Sequence, residues 1–341
     1  MTDQFPGLIR KLWDLFLDNL CPSPLSFLKS IRLFGYIIAG GVILTPLLYT
    51  QPILGWDWYY FFNQGNKDFN LYSLTSFYPP FAKIFIPLLT WMPWRTSLAV
   101  LSGITLMAVA LGTWNAGGRY GSIVLALFTP PVLFLIWNGQ PDALTLVGVL
   151  TGFIPLILIK PQIAIWSIFR HRKLVYWTGL ILLVSFIIWP FWFKSPLQAT
   201  IYNVPSFGWP LTGWPILVLG ILMFIGAGKD PWCLMAAGTL ISPYVLSYHL
   251  AVLTPAIGES HGYRKIVVWF CAWLVALGTG LVGEWGHLLC FTFPVAIFLC
   301  NRSWKDYLSS VGDYLNDLKR VYAWLSSLRL EPGIFNQARK S

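Results

Sequence analysis

Charged residues are scarce in this chain. Only 11% of its 341 residues are Asp, Glu, Lys or Arg, whereas 56% are hydrophobic and 17% are aromatic. About a quarter of the residues in a soluble domain are charged. The shortage excludes an ordinary soluble domain and predicts an all-α polytopic membrane protein.

Acidic residues are scarcer still, and common metal motifs are missing. Between residues 19 and 229 the only acids are Asp57, Asp68 and Asp142. Asp57 has no acidic neighbour that would complete a DxD motif, which argues against a metal-dependent nucleotide-sugar mechanism. The five cysteines form no CxxC pair and no Cys/His spacing. We therefore predict no disulfide framework, no metal site and no cofactor.

Two further absences narrow the class of protein. No internal repeat, direct or inverted, points to a secondary transporter. No cleavable signal peptide is expected, because the first long apolar run begins near Ile31, after a charged amphipathic segment. The net charge of +10 comes from short basic clusters between apolar runs. Such clusters indicate membrane topology and not a nucleic-acid partner.

The apolar runs predict a bundle of about ten transmembrane helices with both termini in the cytoplasm, in a bacterial plasma membrane. The predicted spans lie near 31–50, 96–113, 120–137, 142–159, 174–193, 211–228, 231–242, 243–258, 265–282 and 284–300. The pair at 231–258 is short for two crossings, and at Lys160-Pro161 a short hairpin could replace a simple span. The predicted organisation is a cytoplasmic interfacial segment at 1–28, a transmembrane domain at 29–301, and a cytoplasmic amphipathic helix and tail at 302–341.

The segment 78–94 decides this topology. It contains four prolines and Lys83 within about 17 residues, which makes it a poor span. We expect it to stay on the outer side as a re-entrant or interfacial helix. The basic residues then fall mainly in the cytoplasm, as the positive-inside rule requires. The cytoplasmic set is Arg119, Arg170, Arg172, Lys173, Lys229, Arg264, Lys265, Arg302 and Lys305, against Lys67, Lys83, Arg95 and Lys194 outside.

With this topology, a small set of polar groups shares the outer face with the aromatic stretch 56–93. A carboxylate beside the bilayer is a functional hypothesis by default, and Asp57 lies between two tryptophans. The other groups are Asp68, Tyr78, Lys83, Arg95, the run Asn138-Gly139-Gln140-Pro141-Asp142, Lys194, Ser242, Tyr248 and His249.

The order of these pieces resembles the integral-membrane glycosyltransferases of the GT-C type, most closely the mannosyltransferase-like proteins of glycosyltransferase family 87. The resemblance covers roughly residues 30 to 260, and each piece is weak alone. The pieces are Asp57 in the first outer loop, Tyr78-Pro79-Pro80, Thr129-Pro130-Pro131 followed by Gly139-Gln140, Lys160-Pro161-Gln162, and Ser242-Pro243 followed by Tyr248-His249.

The resemblance implies a GT-C-like fold and transfer of a sugar, such as mannose, from a polyprenyl-phosphate donor to an acceptor hydroxyl on the extracytoplasmic side. Asp57 would be the general base. Lys83, Arg95 and His249 are candidate cations for the leaving phosphate. The remaining predicted substrate-binding residues are Trp56, Trp58, Tyr78, Gln140, Asp142 and Tyr248. The implied partners are the lipid-linked donor, a lipid, glycan or protein acceptor, and membrane lipids.

Lys160 occupies a family-like position, but the interval from Gly139 to Lys160 is short for a path that leaves the outer face and returns. Its membership of the site is therefore open. Alternative roles for three of the other residues also stay open. Asp57 could cap a loop helix, Asp142 follows Pro141 at a helix start and could serve the helix dipole, and His249 could hydrogen-bond across the bundle.

Two other functions compete with the enzyme. A non-catalytic GT-C-like scaffold or subunit is favoured by the short chain and the compressed 139–173 region. A lipid or solute transporter would require a path open to both sides of the membrane. A closed outer cavity lined by Asp57, Gln140 and His249 would favour the enzyme.

Overall fold

The computed structural model describes residues 55, 57–59, 62, 79–189, 209–280 and 284–327. Several predicted features lie outside these residues: the segment 1–28, the span 31–50, Trp56, Asp68, Tyr78, Lys194 and the tail after residue 327. The side chain of Lys83 lies outside the description as well, although its backbone does not.

Helices make up the architecture, and no strand occurs among the described residues. This confirms the all-α prediction. The α-helices are α1 Pro80–Phe85, α2 Pro87–Thr90, α3 Trp94–Asn115, α4 Tyr120–Leu127, α5 Pro130–Asn138, α6 Asp142–Thr151, α7 Ile154–Ile157, α8 Pro161–Ala164, α9 Arg172–Ile188, α10 Trp209–Thr212, α11 Trp214–Ala227, α12 Pro231–Ile241, α13 Ala256–Glu259, α14 Tyr263–Gly280, α15 Glu284–Asn301 and α16 Trp304–Ser327. Two 3₁₀ helices cover Ile165–Arg170 and Ser247–Leu253.

Helix α3 is the one described helix that is long and apolar enough to cross a membrane by itself. Its 22 residues extend about 33 Å at 1.5 Å per residue, close to the thickness of a hydrocarbon core. Helices α4 and α5 meet the same criterion only together, and they are bent by 54° at the Thr129-Pro130-Pro131 break. A proline at this point cannot continue the helical hydrogen bonds. Helices α1 and α2 have six and four residues, too few to cross.

The predicted span at 142–159 is wrong. The chain instead forms a tight hairpin, in which α6 ends at Gly152 with a left-handed φ of 72° and α7 returns along it. The two helices are so close that a Cβ on Gly148 would lie 2.6 Å from the Ile157 backbone nitrogen. Because the chain turns back after ten residues, Lys160 returns to the level of Asp142.

The region 231–258, predicted to cross the membrane twice, does not contain two helices long enough to do so. Helix α12 has 11 residues, and the following chain is the 3₁₀ helix Ser247–Leu253 and the four-residue α13. Helix α12 is buried along nearly its whole length and packs against α11 and α15. It is therefore a central core helix, and its short length places the residues after Ser242 in the interior.

The C-terminal helix α16 is amphipathic, as the sequence predicts. Tyr307 packs on Gly226 of α11, where a Cβ would lie 2.1 Å from the tyrosine ring. The Arg302 guanidinium donates hydrogen bonds to the Gly226 carbonyl and to Ser310 Oγ. Other apolar side chains of this helix are exposed: Trp304, Leu308, Leu315, Leu318, Val321 and Tyr322. Its placement on the cytoplasmic leaflet remains a prediction.

Candidate functional site

A buried polar cluster lies where four separate parts of the chain meet. Gln140, Asp142, Lys160 and His249 are 3%, 2%, 6% and 3% exposed, respectively. Asp57 is half-buried beside them. Burial of charged groups is costly unless they are paired, so each member of the cluster needs a partner. We call these five residues the polar cluster.

Asp57 is held at the cluster by its neighbours in the chain. The indole of Trp58 is fully buried and donates a hydrogen bond to Ser97 Oγ of α3 at 2.5 Å. The Gly55 N–H donates to the Trp137 carbonyl at 2.7 Å. These two bonds fix the segment against α3 and the end of α5.

Glycine at position 139 permits the contact between Asp57 and Gln140. Gly139 ends α5 with a left-handed φ of 69°, a conformation that other residues adopt with strain. A Cβ here would also lie 2.6 Å from Trp58 Cβ, so a larger residue would push the two segments apart. With glycine in place, the Gln140 side-chain amide donates a hydrogen bond to Asp57 Oδ2.

Lys160 is the centre of the cluster. Its ammonium donates to Gln140 Oε1 at 2.6 Å and to Asp142 Oδ2 at 2.7 Å. It also lies 3.4 Å from His249 Nε2 and 4.8 Å from the centre of the Tyr248 ring. The hydrogen bonds therefore run from Asp57 through Gln140 and Lys160 to Asp142.

His249 enters from the 3₁₀ helix Ser247–Leu253. Its Nδ1 accepts the backbone N–H of Leu246 at 3.1 Å. Its Nε2 lies 3.9 Å from Asp142 Oδ1. The Tyr248 ring meets the imidazole edge-to-face at 4.7 Å, and Tyr244 meets it at 6.0 Å. The ring is thus held by its own turn, with Nε2 directed at the Lys160–Asp142 pair.

Electrostatics set the basicity of Asp57. Burial raises the pKa of the Asp57 carboxyl, whereas the hydrogen bond from Gln140 and the charge of Lys160 lower it. Burial is the larger effect, so the pKa lies above its usual value near 4. A carboxylate with this property is a better proton acceptor than an ordinary surface aspartate, and it lies next to a fixed positive charge.

The structure brings together five residues that the sequence nominates: Asp57, Gln140, Asp142, Tyr248 and His249. Trp58 does not have the predicted substrate-binding role. It is 0% exposed and bonded to Ser97, so it supports Asp57 and offers no face for a sugar. Arg95 is exposed, with its guanidinium 5.3 Å from the centre of the Trp94 ring.

Lys160 is the residue that sequence reasoning left open. Its place depends on the α6–α7 hairpin, which brings it within 2.7 Å of Asp142. A signal for the hairpin is present in the sequence, because Gly152, Pro155 and Pro161 interrupt the apolar run after Asp142. Asp142 lies in the first turn of α6, where an acid suits the helix dipole, and its side chain also forms an ion pair with Lys160.

Within the described part of the chain, no group of three or more His, Cys, Asp or Glu side chains is placed to hold a metal ion. Comparisons with protein-family models, with curated proteins and with solved structures find no match for this chain.

Proposed function

We propose that this chain is a polytopic membrane glycosyltransferase of the GT-C type, which transfers a sugar such as mannose from a polyprenyl phosphate to an acceptor hydroxyl outside the cytoplasm. The observation that carries the proposal is the polar cluster itself. It joins Asp57, Gln140, Lys160 and His249, four residues from separate pieces of the sequence on which the resemblance rests.

The distribution of exposed side chains supports a membrane location. Helix α9 exposes large apolar side chains along most of its length, and α11 and α14 expose several more. These belts would be unfavourable in water but suit lipid. Meanwhile the charged pair Lys160–Asp142 lies inside the bundle, as intramembrane charges do when they serve a site.

In the proposed reaction, Asp57 accepts the proton of the acceptor hydroxyl as its oxygen attacks the anomeric carbon of the donor sugar. The bond between that carbon and the phosphate oxygen breaks, and polyprenyl phosphate leaves with the bonding electrons. Lys160 is the cation beside Asp57 that can stabilise the charge developing on the phosphate. Gln140 holds the base and this cation at a fixed separation through its two hydrogen bonds.

A second candidate is a non-catalytic membrane scaffold with this fold. One observation favours it: Lys160 already donates to two protein acceptors, so the pair is satisfied without a ligand. A purely structural ion pair would look the same. The two candidates differ in whether Asp57 matters for turnover.

The deciding experiment measures transfer from radiolabelled polyprenyl-phosphate mannose in membranes. We expect Asp57→Asn to lower the rate by about a hundred- to ten-thousandfold, because the amide keeps the size of the side chain but cannot accept the proton. The matched control is Asp313→Asn on α16, the same change at an exposed position.

Two results would count against the proposal. Equal rates for wild type and Asp57→Asn would remove Asp57 as the base. No transfer by the wild type with any polyprenyl-phosphate hexose, at normal expression, would favour the scaffold.

A further inference from the structure

The protonation of His249 follows from what its two ring nitrogens contact. We propose that His249 is a neutral imidazole with its proton on Nε2, and that it forms with Lys160 a pair of donors for one anionic oxygen of a lipid phosphate. The choice of ligand rests on the proposed function, whereas the position of the proton does not.

The Nδ1 atom of His249 accepts a hydrogen bond from the backbone. A backbone N–H is always a donor, and that of Leu246 points at Nδ1 from 3.1 Å. Nδ1 must therefore present its lone pair. A neutral imidazole carries one proton, so the proton is on Nε2. Turning the ring over would place carbon atoms against both the Leu246 N–H and the Lys160 ammonium, and both polar contacts would be lost.

A doubly protonated ring does not fit these contacts. An imidazolium needs a proton on Nδ1, which would break the bond from Leu246 and leave that buried N–H unpaired. It would also place a second positive charge 3.4 Å from Lys160 Nζ. Asp142 is the one acid in contact distance of the ring among the described residues, and its Oδ2 is already taken by Lys160. The other groups facing the ring are the phenols Tyr244 and Tyr248.

The Lys160 ammonium and the protonated Nε2 of His249 are two neighbouring donors that suit an anionic ligand. With a charged Lys160, neither Nζ nor the protonated Nε2 can accept from the other, although they are 3.4 Å apart. Two donors at this separation can both point at one acceptor placed between them, as in an oxyanion hole. A phosphate oxygen is such an acceptor. His249 then contributes a directed hydrogen bond, not a positive charge, and it takes no proton from the acceptor hydroxyl.

Nitrogen NMR of histidine-labelled protein in nanodiscs tests the proton position directly. The chain has four histidines, and the spectrum of His249→Asn identifies the signal of residue 249. At pH 7 we expect a protonated Nε2 and an unprotonated Nδ1. A proton on Nδ1, alone or together with one on Nε2, would overturn the proposal.

Addition of undecaprenyl monophosphate to the same sample tests the ligand. We expect the Nε2–H signal to move, with no movement in response to undecaprenol, which lacks the phosphate. An unchanged signal would overturn the assignment of the phosphate to this donor pair. If the signal moves but the wild type transfers no sugar, the donor pair stands and the proposed function fails.

Two variants of His249 test whether this position must donate a hydrogen bond or carry a positive charge. Gln places an amide N–H near the position of Nε2, so His249→Gln should keep transfer within about tenfold of the wild type. His249→Arg introduces a positive charge but cannot reproduce the locked ring, and should lose about a hundred- to a thousandfold. A higher rate for His249→Arg than for His249→Gln, with both variants monodisperse in detergent, would show that the site requires a positive charge at this position.

Discussion

Two ion pairs of this protein have nearly the same geometry in opposite surroundings. Lys160 and Asp142 are 2.7 Å apart, and their side chains are 5% and 2% exposed. Arg172 and Asp317 are 2.9 Å apart, and their side chains are 75% and 49% exposed. The first pair links the start of α6 to the chain after α7, and the second links α9 to α16.

Exposure changes what each pair contributes. A surface pair is screened by water and salt, and it typically adds about 0–1 kcal/mol to stability. A buried pair must first lose its hydration, which can cost more than the attraction returns. Apolar residues of similar volume would often stabilise the fold better. Stability alone therefore does not explain the Lys160–Asp142 pair in the interior, which agrees with the proposal that the polar cluster serves a reaction.

The largest expected effect comes from breaking the buried pair on one side. Asp142→Asn leaves the Lys160 charge in the interior without its counterion, and should lower the free energy of unfolding by about 3–5 kcal/mol. Denaturant unfolding in detergent measures the change. A loss below 1 kcal/mol would mean that the buried pair behaves like the exposed one.

The control removes both charges. Asp142→Leu with Lys160→Met should recover most of the stability, since neither charge is left unpaired. If the proposed reaction is correct, this double variant should transfer no sugar, because the cation next to Asp57 is gone. If the double variant does transfer sugar, the Lys160–Asp142 pair has a structural role only.

The next effect concerns pH. In the proposed reaction deprotonated Asp57 is the base, so the rate should fall as the pH drops through its pKa. The Gln140 hydrogen bond lowers that pKa. We expect Gln140→Leu to raise the pKa further and to move the acid limb of the kcat/KM profile to higher pH.

Asn138→Leu is the matched control for this shift. Asn138 lies two residues away, and its side-chain amide donates to the Phe134 carbonyl of its own helix. Its removal should leave the acid limb in place. If the acid limb stays unchanged in Gln140→Leu, then Asp57 is not the group whose titration limits the rate at low pH.

The smallest effect belongs to the exposed pair. Arg172→Gln should change the free energy of unfolding by about 0–1 kcal/mol, and the difference should shrink as salt is added. Lys173→Gln makes the same charge change at the neighbouring residue and serves as the control. A loss of several kcal/mol in Arg172→Gln alone would show that the α9–α16 contact carries more than a surface pair does.

The sequence predicted several members of the polar cluster but not its centre. Asp57 stands out because acids are rare, and Gln140 and His249 stand out because they follow proline-broken apolar runs. Lys160 could not be placed in the same way. Its position depends on whether 142–159 crosses the bilayer or turns back, and hydropathy alone does not distinguish a span from a hairpin of the same composition.

The amphipathic α16 shows the opposite case. Its apolar residues recur at helical spacing over more than six turns, and the helix occupies Trp304–Ser327 as expected. Local periodicity is enough here because the helix needs only one packing face. Helices α6 and α12 are surrounded by other helices, so their sequences carry no such one-sided pattern.

The sequence by itself determined that the protein is helical and apolar, and that very few acids are available for chemistry. These properties follow from composition and local hydrogen bonding, which do not depend on distant residues. Only the tertiary structure decided that Lys160 meets Asp142, that Trp58 is a support, and that the Nδ1 atom of His249 is occupied. The first two depend on how closely two segments approach, which Gly139, Gly148 and the turn at Gly152 permit. The third depends on the conformation of the turn that brings the Leu246 N–H to the His249 ring.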